Sequence, residues 1–218
     1  MNFKKILGFI KKQKNELISE EIRKEIGFSQ EILNVIKQVT NSSIQPFYAT
    51  DSKSKIAGVS FVTFEDSAEQ QVIKLQSEVQ KLGYLAFICE RSFSQGSKSE
   101  CRIAITQGND QFDILTIQQT NGVNYEVSNI DVIFKLRKWN DRYPFIIIGA
   151  DHDWVDAIFS ALPTDEEMQS FAQEMYEFCP DIVEQGTESI EELVEEIKKT
   201  KKLFLHTRGV SITYRNAF

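Results

Sequence analysis

Cysteine is scarce in this chain. Cys89, Cys101 and Cys179 are odd in number and widely separated, which excludes a disulfide framework and points to a reducing, cytoplasmic setting. Basic charge is also short: Lys and Arg total 25 against 32 Asp and Glu, for a net charge of −7. A nucleic-acid partner is excluded on that ground, because phosphate neutralisation needs a basic face. No run approaches the roughly 18 apolar residues of a membrane span. The apolar run near the start, Ile6 to Ile10 before Lys11 and Lys12, falls short of the roughly 7–15 residues of a secretory core, so no signal peptide is expected. Neither an HExxH pair nor a glycine-rich phosphate loop occurs, and no cofactor is expected.

What remains is a chain of 218 residues, 41% hydrophobic and 26% charged. These are the proportions of a globular protein able to bury about 70% of its unfolded surface. Over residues 1–40, Phe3, Ile6, Leu7 and Ile10, then Leu17, Ile18, Ile22 and Ile26, recur at helical spacing. Gly27 is a stop and Ser29 a cap for a second helix. Lys4, Lys5, Lys11, Lys12 and Lys14 give residues 1–14 a basic face. That face suits peripheral contact with a membrane surface or a partner, or plain solvation of a helix packed on its own domain. The polar, turn-rich residues 41–56 are expected as a linker, giving an N-terminal arm (1–56) and an α+β domain (57–218).

Within the domain, Val59 to Phe64 reads as a strand and Ser67 with Gln70 as a capping box before Val72, Leu75, Val79 and Leu82. Gly83 is the helix stop, Tyr84 to Cys89 a buried strand, Phe93 to Glu100 a loop, and Arg102 to Thr106 a strand. Asp110 to Thr120 is expected to be helical. Val123 to Val127 reads as a strand, and Ser128 with Asp131 caps a helix carrying Val132, Ile133, Leu136 and Trp139. Phe145 to Ile148 and Trp154 to Phe159 read as two strands joined by a polar hairpin loop. Thr164 with Glu167 boxes a helix whose stripe is Met168, Phe171, Ala172, Met175 and Phe178. Cys179-Pro180-Asp181 breaks that helix, and Pro180 suits the first position of a short turn ended by Gly186. Ser189 with Glu192 opens the last helix, which is acidic at its start and lysine-rich at its end, in accord with its dipole. Leu203 to Leu205 is a final strand.

Residues 57–122 and 123–218 then share one order, β-α-β-β-α, without sharing side chains. The expectation is a two-layer α+β fold with helices on one face of a sheet and pseudo-twofold symmetry.

The segments NGVNYEV, IIGADHDWV, YEFCPDIVEQG and EELVEEIKKTKKLFL resemble the bacterial family catalogued as domain of unknown function 4253, over about residues 108–206. YEFCPDIVEQG is the specific part of the match. The resemblance implies no activity. Similar members usually end the tail strand with Trp-Trp-Asp, whereas His206-Thr207-Arg208 stand here.

Two constellations are candidates for chemistry. Asp151, His152 and Asp153, with His206 or Asp181, offer imidazole and carboxylate ligands to a divalent cation. Asp and His in such a loop also serve as turn formers. Cys179, at the start of a helical turn with His152 as base and Asp181 nearby, has the makings of a nucleophile. Asp181 and Glu184 oppose a thiolate by their charge, and cysteine is often buried and inert. A structural reading also fits. Asp181, Glu184, Gln185 and Gly186 would then fix the angle between two helices, with Asp181 on backbone donors and Gly186 at positive φ. The leading functional reading is a non-catalytic module that binds a protein or small ligand through Asp151, His152, Asp153, Trp154, Asp181, Glu184 and Gln185. The competing reading is a small hydrolase or metal-dependent enzyme using His152, Cys179 and Asp181.

Overall fold

The computed structural model describes residues 18, 20–49, 55–91 and 99–206. The chain divides into two units of mixed α+β structure, Met1–Asn109 and Asp110–Phe218. The expectations for the lysine-bearing residues 1–14, for most of the loop 93–100 and for Thr207 and Arg208 lie outside the described residues.

In the first unit, α1 (Glu20–Glu25) ends at Gly27, whose φ of 68° is the left-handed stop that the sequence suggests. Ser29 caps α2 (Gln30–Val39) by accepting from the Ile32 N–H, and Ile32 and Ile36 are fully buried. Residues 45–48, expected within a linker, instead form strand β1 (Gln45–Tyr48). Its Phe47 is buried edge-on to Phe87 at 5.8 Å, an anchor that the polar sequence around it conceals. β2 (Ile56–Phe64), β3 (Tyr84–Arg91) and β4 (Glu100–Gln107) complete an antiparallel sheet in the order β1-β2-β4-β3.

Helix α3 (Glu65–Val79) packs over β2, β3 and β4 through Ala68, Val72, Leu75 and Val79. The capping box expected at Ser67 is absent. β2 runs straight into the helix at Phe64, so Ser67 already lies in the first turn and its hydroxyl bonds Thr63 Oγ1 and the Phe64 carbonyl. Gly83, with φ 81°, ends the segment as expected.

In the second unit, the segment Asp110 to Thr120 is helical at its centre as expected: α4 (Asp113–Gln118) buries Ile114, Leu115 and Gln118. Residues 123–127 are not a strand. Val123–Tyr125 is a single 3-10 turn closed by a bridge between Gly122 and Val127, with Glu126 at φ 57°. Alternating Val123, Tyr125 and Val127 imitate a strand, but Val123 lies on the surface and there is no half-buried sheet face for it to join. The expected β-α-β-β-α order of residues 123–218 therefore lacks its opening strand.

Helix α5 (Asn129–Arg142) starts with a reciprocal box: Asp131 N–H donates to Ser128 Oγ, and Ser128 N–H donates to Asp131 Oδ2. β5 (Phe145–Asp151), β6 (Trp154–Phe159) and β7 (Lys202–His206) form an antiparallel sheet in that order. α6 (Asp165–Phe178) and α7 (Ile190–Thr200) pack against each other, and α7 returns the chain to β7. Met168, Phe171, Ala172 and Met175 are buried as the stripe requires, while Phe178 is half-buried near the end of the helix.

Gln111 is tied to β5 much as a neighbouring strand would be. Its side chain donates to the Phe145 carbonyl at 3.1 Å and accepts from the Ile147 N–H at 2.8 Å. Among the described residues, no helix is long and apolar enough to cross a membrane.

Candidate functional site

The hairpin between β5 and β6 is tighter than the sequence suggests. Asp151 pairs with Trp154, leaving His152 and Asp153 as a two-residue turn. A register shift between Ile147 and Gly149 sets this end of the hairpin. The turn gathers its side chains: donor atoms of Asp151, His152 and Asp153 lie within 4.8 Å of one another. His152 Nδ1 is 3.4 Å from Asp151 Oδ1 and 3.6 Å from Asp153 Oδ1, so the imidazole lies within reach of both carboxylates. Imidazole and carboxylate suit a divalent cation, yet neither His206 nor Asp181 joins this group. The His152 carbonyl accepts from the Asn121 N–H at 2.9 Å, which fastens the hairpin to the segment after α4. Gln118 adds a second tie, donating to the Ala150 carbonyl at 2.7 Å.

Around that fastening the second unit forms a recess partly open to solvent. Thr120, Asn121, Tyr125 and Val127 contribute from the 3-10 segment, and Val132 from α5. Asp153, Trp154 and Val155 contribute from the hairpin, Phe178 and Cys179 from the end of α6, and Leu205 and His206 from β7. Trp154 and His206 are register partners across β6 and β7, and Trp154 stacks with Phe204 at 6.4 Å.

The Cys179-Pro180-Asp181 motif lies beside this recess and mostly builds its wall. Cys179 is buried, and its thiol donates to the His206 carbonyl at 3.1 Å. Burial pushes the thiol up to about 11, and the neighbouring Asp181 acts in the same direction. Asp181 is buried too, and accepts from the Tyr125 hydroxyl at 2.6 Å and from Gln185 Nε2 at 2.7 Å. The hydrogen bond to Asp181 pushes the Tyr125 phenol up to about 12. Glu184 accepts from the Tyr176 hydroxyl at 3.1 Å.

The bonds expected from Asp181 to backbone donors are thus replaced by bonds to two side chains, one of them 56 residues away. Gly186 is not at positive φ. It lies within a π-helical turn, Val183–Thr187, and the left-handed position falls to Glu188 at φ 71°. The reason is the wider turn, in which the Glu188 N–H reaches back to the Val183 carbonyl at 2.8 Å.

The structure therefore separates the proposed catalytic set. Cys179 lines the recess, Asp181 stands behind Tyr125, and His152, with a half-exposed side chain, is not among the lining residues. A hydrolase built on His152, Cys179 and Asp181 is not favoured, because the thiol is sealed, protonated and without that imidazole. Sequence reasoning missed Thr120 and Tyr125. Tyr125 was hidden by the strand-like alternation around it, and nothing local marks Thr120.

Asp181 yields a direct prediction. Asp181→Ala removes an acceptor of two hydrogen bonds, and is expected to lower stability by about 1–3 kcal/mol in urea unfolding. In the same variant one phenol titration returns from about 12 toward its ordinary value near 10. An unchanged unfolding midpoint would remove Asp181 as the link between the motif and the 3-10 turn.

No curated protein and no solved structure matches the chain. A family match does exist: it begins inside β4, ends on the last residue of β7 and so takes in every element around the recess. Residues 102–206 match the family described as Domain of unknown function (DUF4253).

Proposed function

We propose that the second unit is a non-catalytic binding module whose recess takes a small molecule with an apolar body. The observation that carries this reading is the recess itself. Its walls combine the apolar side chains of Val132, Trp154, Phe178 and Leu205 with a few polar groups, the mixture that gives affinity by burial and orientation by hydrogen bonds. Glu184 and Gln185 serve by holding the turn that backs Tyr125, and Asp151 and His152 by shaping the hairpin that presents Asp153 and Trp154. A cytoplasmic setting is supported by three buried cysteines, all of them free thiols.

Trp154 supplies the readout. The chain has two tryptophans, so Trp139→Phe leaves Trp154 as the one fluorophore, at the recess wall. Titration with benzyl alcohol, benzylamine or benzoate is expected to change its emission saturably for at least one probe, with a dissociation constant on the order of millimolar, as fits a single-ring fragment. Val132→Phe fills the recess and should abolish the change while the fold, read by circular dichroism, persists. No saturable response to any of the probes would refute the binding reading.

A further inference from the structure

We propose that the ligand of this recess is a primary amine, its ammonium held between the Thr120 hydroxyl and the Asp153 carboxylate. The inference rests on the binding reading above and adds the chemical class.

Thr120 is the starting observation. Its side chain is 3% exposed, it lines the recess, and its Oγ1 is a buried hydroxyl with no hydrogen-bond partner among the described residues. A buried hydroxyl left in that condition costs stability. A group held there at such a cost is suited to meet a polar atom arriving in the recess. The backbone of Thr120 is fully occupied: its N–H donates to the Leu115 carbonyl at 3.1 Å, and its carbonyl accepts from Asn129 Nδ2 at 2.8 Å. The residue is therefore rigidly placed, and only the hydroxyl is left to address a ligand.

Asp153 is the second group. The Asn121 N–H donates to the His152 carbonyl, so Thr120 and Asp153 each stand next to one member of the same bonded pair. Both residues line the recess. Asp153 is 9% exposed, so its carboxylate works with little solvent to screen it. A carboxylate accepts only, whereas a threonine hydroxyl donates or accepts; an ammonium, with three donors, matches both at once.

The surroundings favour the same charge. Among the described residues, no lysine or arginine lines the recess. Asp181, behind Tyr125, adds negative potential. Tyr125, Trp154 and Phe178 supply aromatic faces, which attract a cation and exclude water from its apolar body. An anionic ligand would meet repulsion from Asp153, and among the described residues no lysine or arginine lines the recess to offset it.

The test compares three probes of one shape by calorimetry and Trp154 fluorescence: benzylamine, benzyl alcohol and benzoate. Benzylamine is expected to bind about tenfold more tightly than benzyl alcohol, with benzoate undetectable, the ratio set by one charge-assisted hydrogen bond. Asp153→Asn should erase the preference for the amine. Thr120→Val, which keeps the shape and removes the hydroxyl, should weaken benzylamine by about threefold or more while the melting temperature of the free protein holds or rises. That pairing distinguishes a ligand-facing hydroxyl from a structural one, whose removal would lower the melting temperature. Benzyl alcohol or benzoate binding as well as benzylamine would overturn the amine and leave the binding module standing. Failure of all three probes would overturn both.

Discussion

Trp139→Ala is expected to cost about 3–5 kcal/mol of stability, the range for emptying a core of a large aromatic. Trp139 is 1% exposed on α5 and is the largest fully buried side chain described. It meets Phe171 and Phe178 edge-on, at 5.4 and 5.6 Å between centroids. The Lys135 ammonium lies 5.5 Å from its ring, and the indole N–H donates to Glu174 Oε2 at 3.2 Å. Glu174 also takes two bonds from Arg142, at 2.8 and 2.9 Å. Burial alone would push that carboxyl up, but the bonds from Arg142 and Trp139 outweigh it and hold the carboxyl below its ordinary range. Truncation thus leaves a cavity where α5 meets α6 and takes one donor from a carboxylate that keeps its other partner. Trp139→Phe keeps most of the ring and should cost about 1–2 kcal/mol, as conservative core changes do. Urea unfolding of both variants is the measurement. A loss under about 1 kcal/mol for the alanine variant would mean that the packing of α5 on α6 matters little.

Stability is expected to fall as pH rises from about 9 to about 11, and Cys179 to account for a large share of that fall. The thiol has an ordinary value of 9.0 and is pushed up to about 11 by burial in the folded chain. Between those values the folded protein keeps a proton that the unfolded chain releases. The stabilisation is therefore complete below about 9 and disappears as pH climbs to the folded value. A tenfold difference in proton affinity is worth about 1.4 kcal/mol, so the thiol contributes on the order of 3 kcal/mol over the whole window. Cys101, pushed up to about 12 by burial and by Glu65, acts with the same sign from the same starting pH. Tyr125 joins it above about 10.

Cys179→Ala isolates the effect. Its stability should decline less steeply than that of the parent across the window, and parallel curves would show that the thiol titrates normally when folded. Iodoacetamide gives an independent reading. At neutral pH it should label no cysteine of the described units until the chain unfolds, because all three thiols are buried. Rapid labelling of Cys179 would instead reopen the nucleophile that the geometry disfavours.

The two predictions differ in how much of their basis is visible in the letters. That Trp139 faces a core follows from Val132, Leu136 and Trp139 recurring at helical spacing behind the Ser128 and Asp131 cap. That its neighbours are Phe171 and Phe178 does not follow, because they lie on another helix. Cys179 shows the same divide. Its place at the break between two helices is marked by Pro180, whereas its partner, the His206 carbonyl, is 27 residues away. Residues 123–127 show local pattern misleading outright. Alternation favours a strand only where a sheet face waits to bury it, and Val123 instead stands on the surface.

The order of residues was enough to place the caps, stripes and stops of most helices and the two strands around His152, together with the acidic charge and the α+β class. These depend on residues three or four apart or on alternate faces of one strand, and short-range geometry is written directly in the letters. That Tyr125 meets Asp181, that Thr120 and Asp153 share a recess, and that His152 stays out of it came from the folded chain alone. Those contacts bridge elements far apart in the chain, and they are fixed by how β5, β6, β7 and the helices close on one another, which no local pattern encodes.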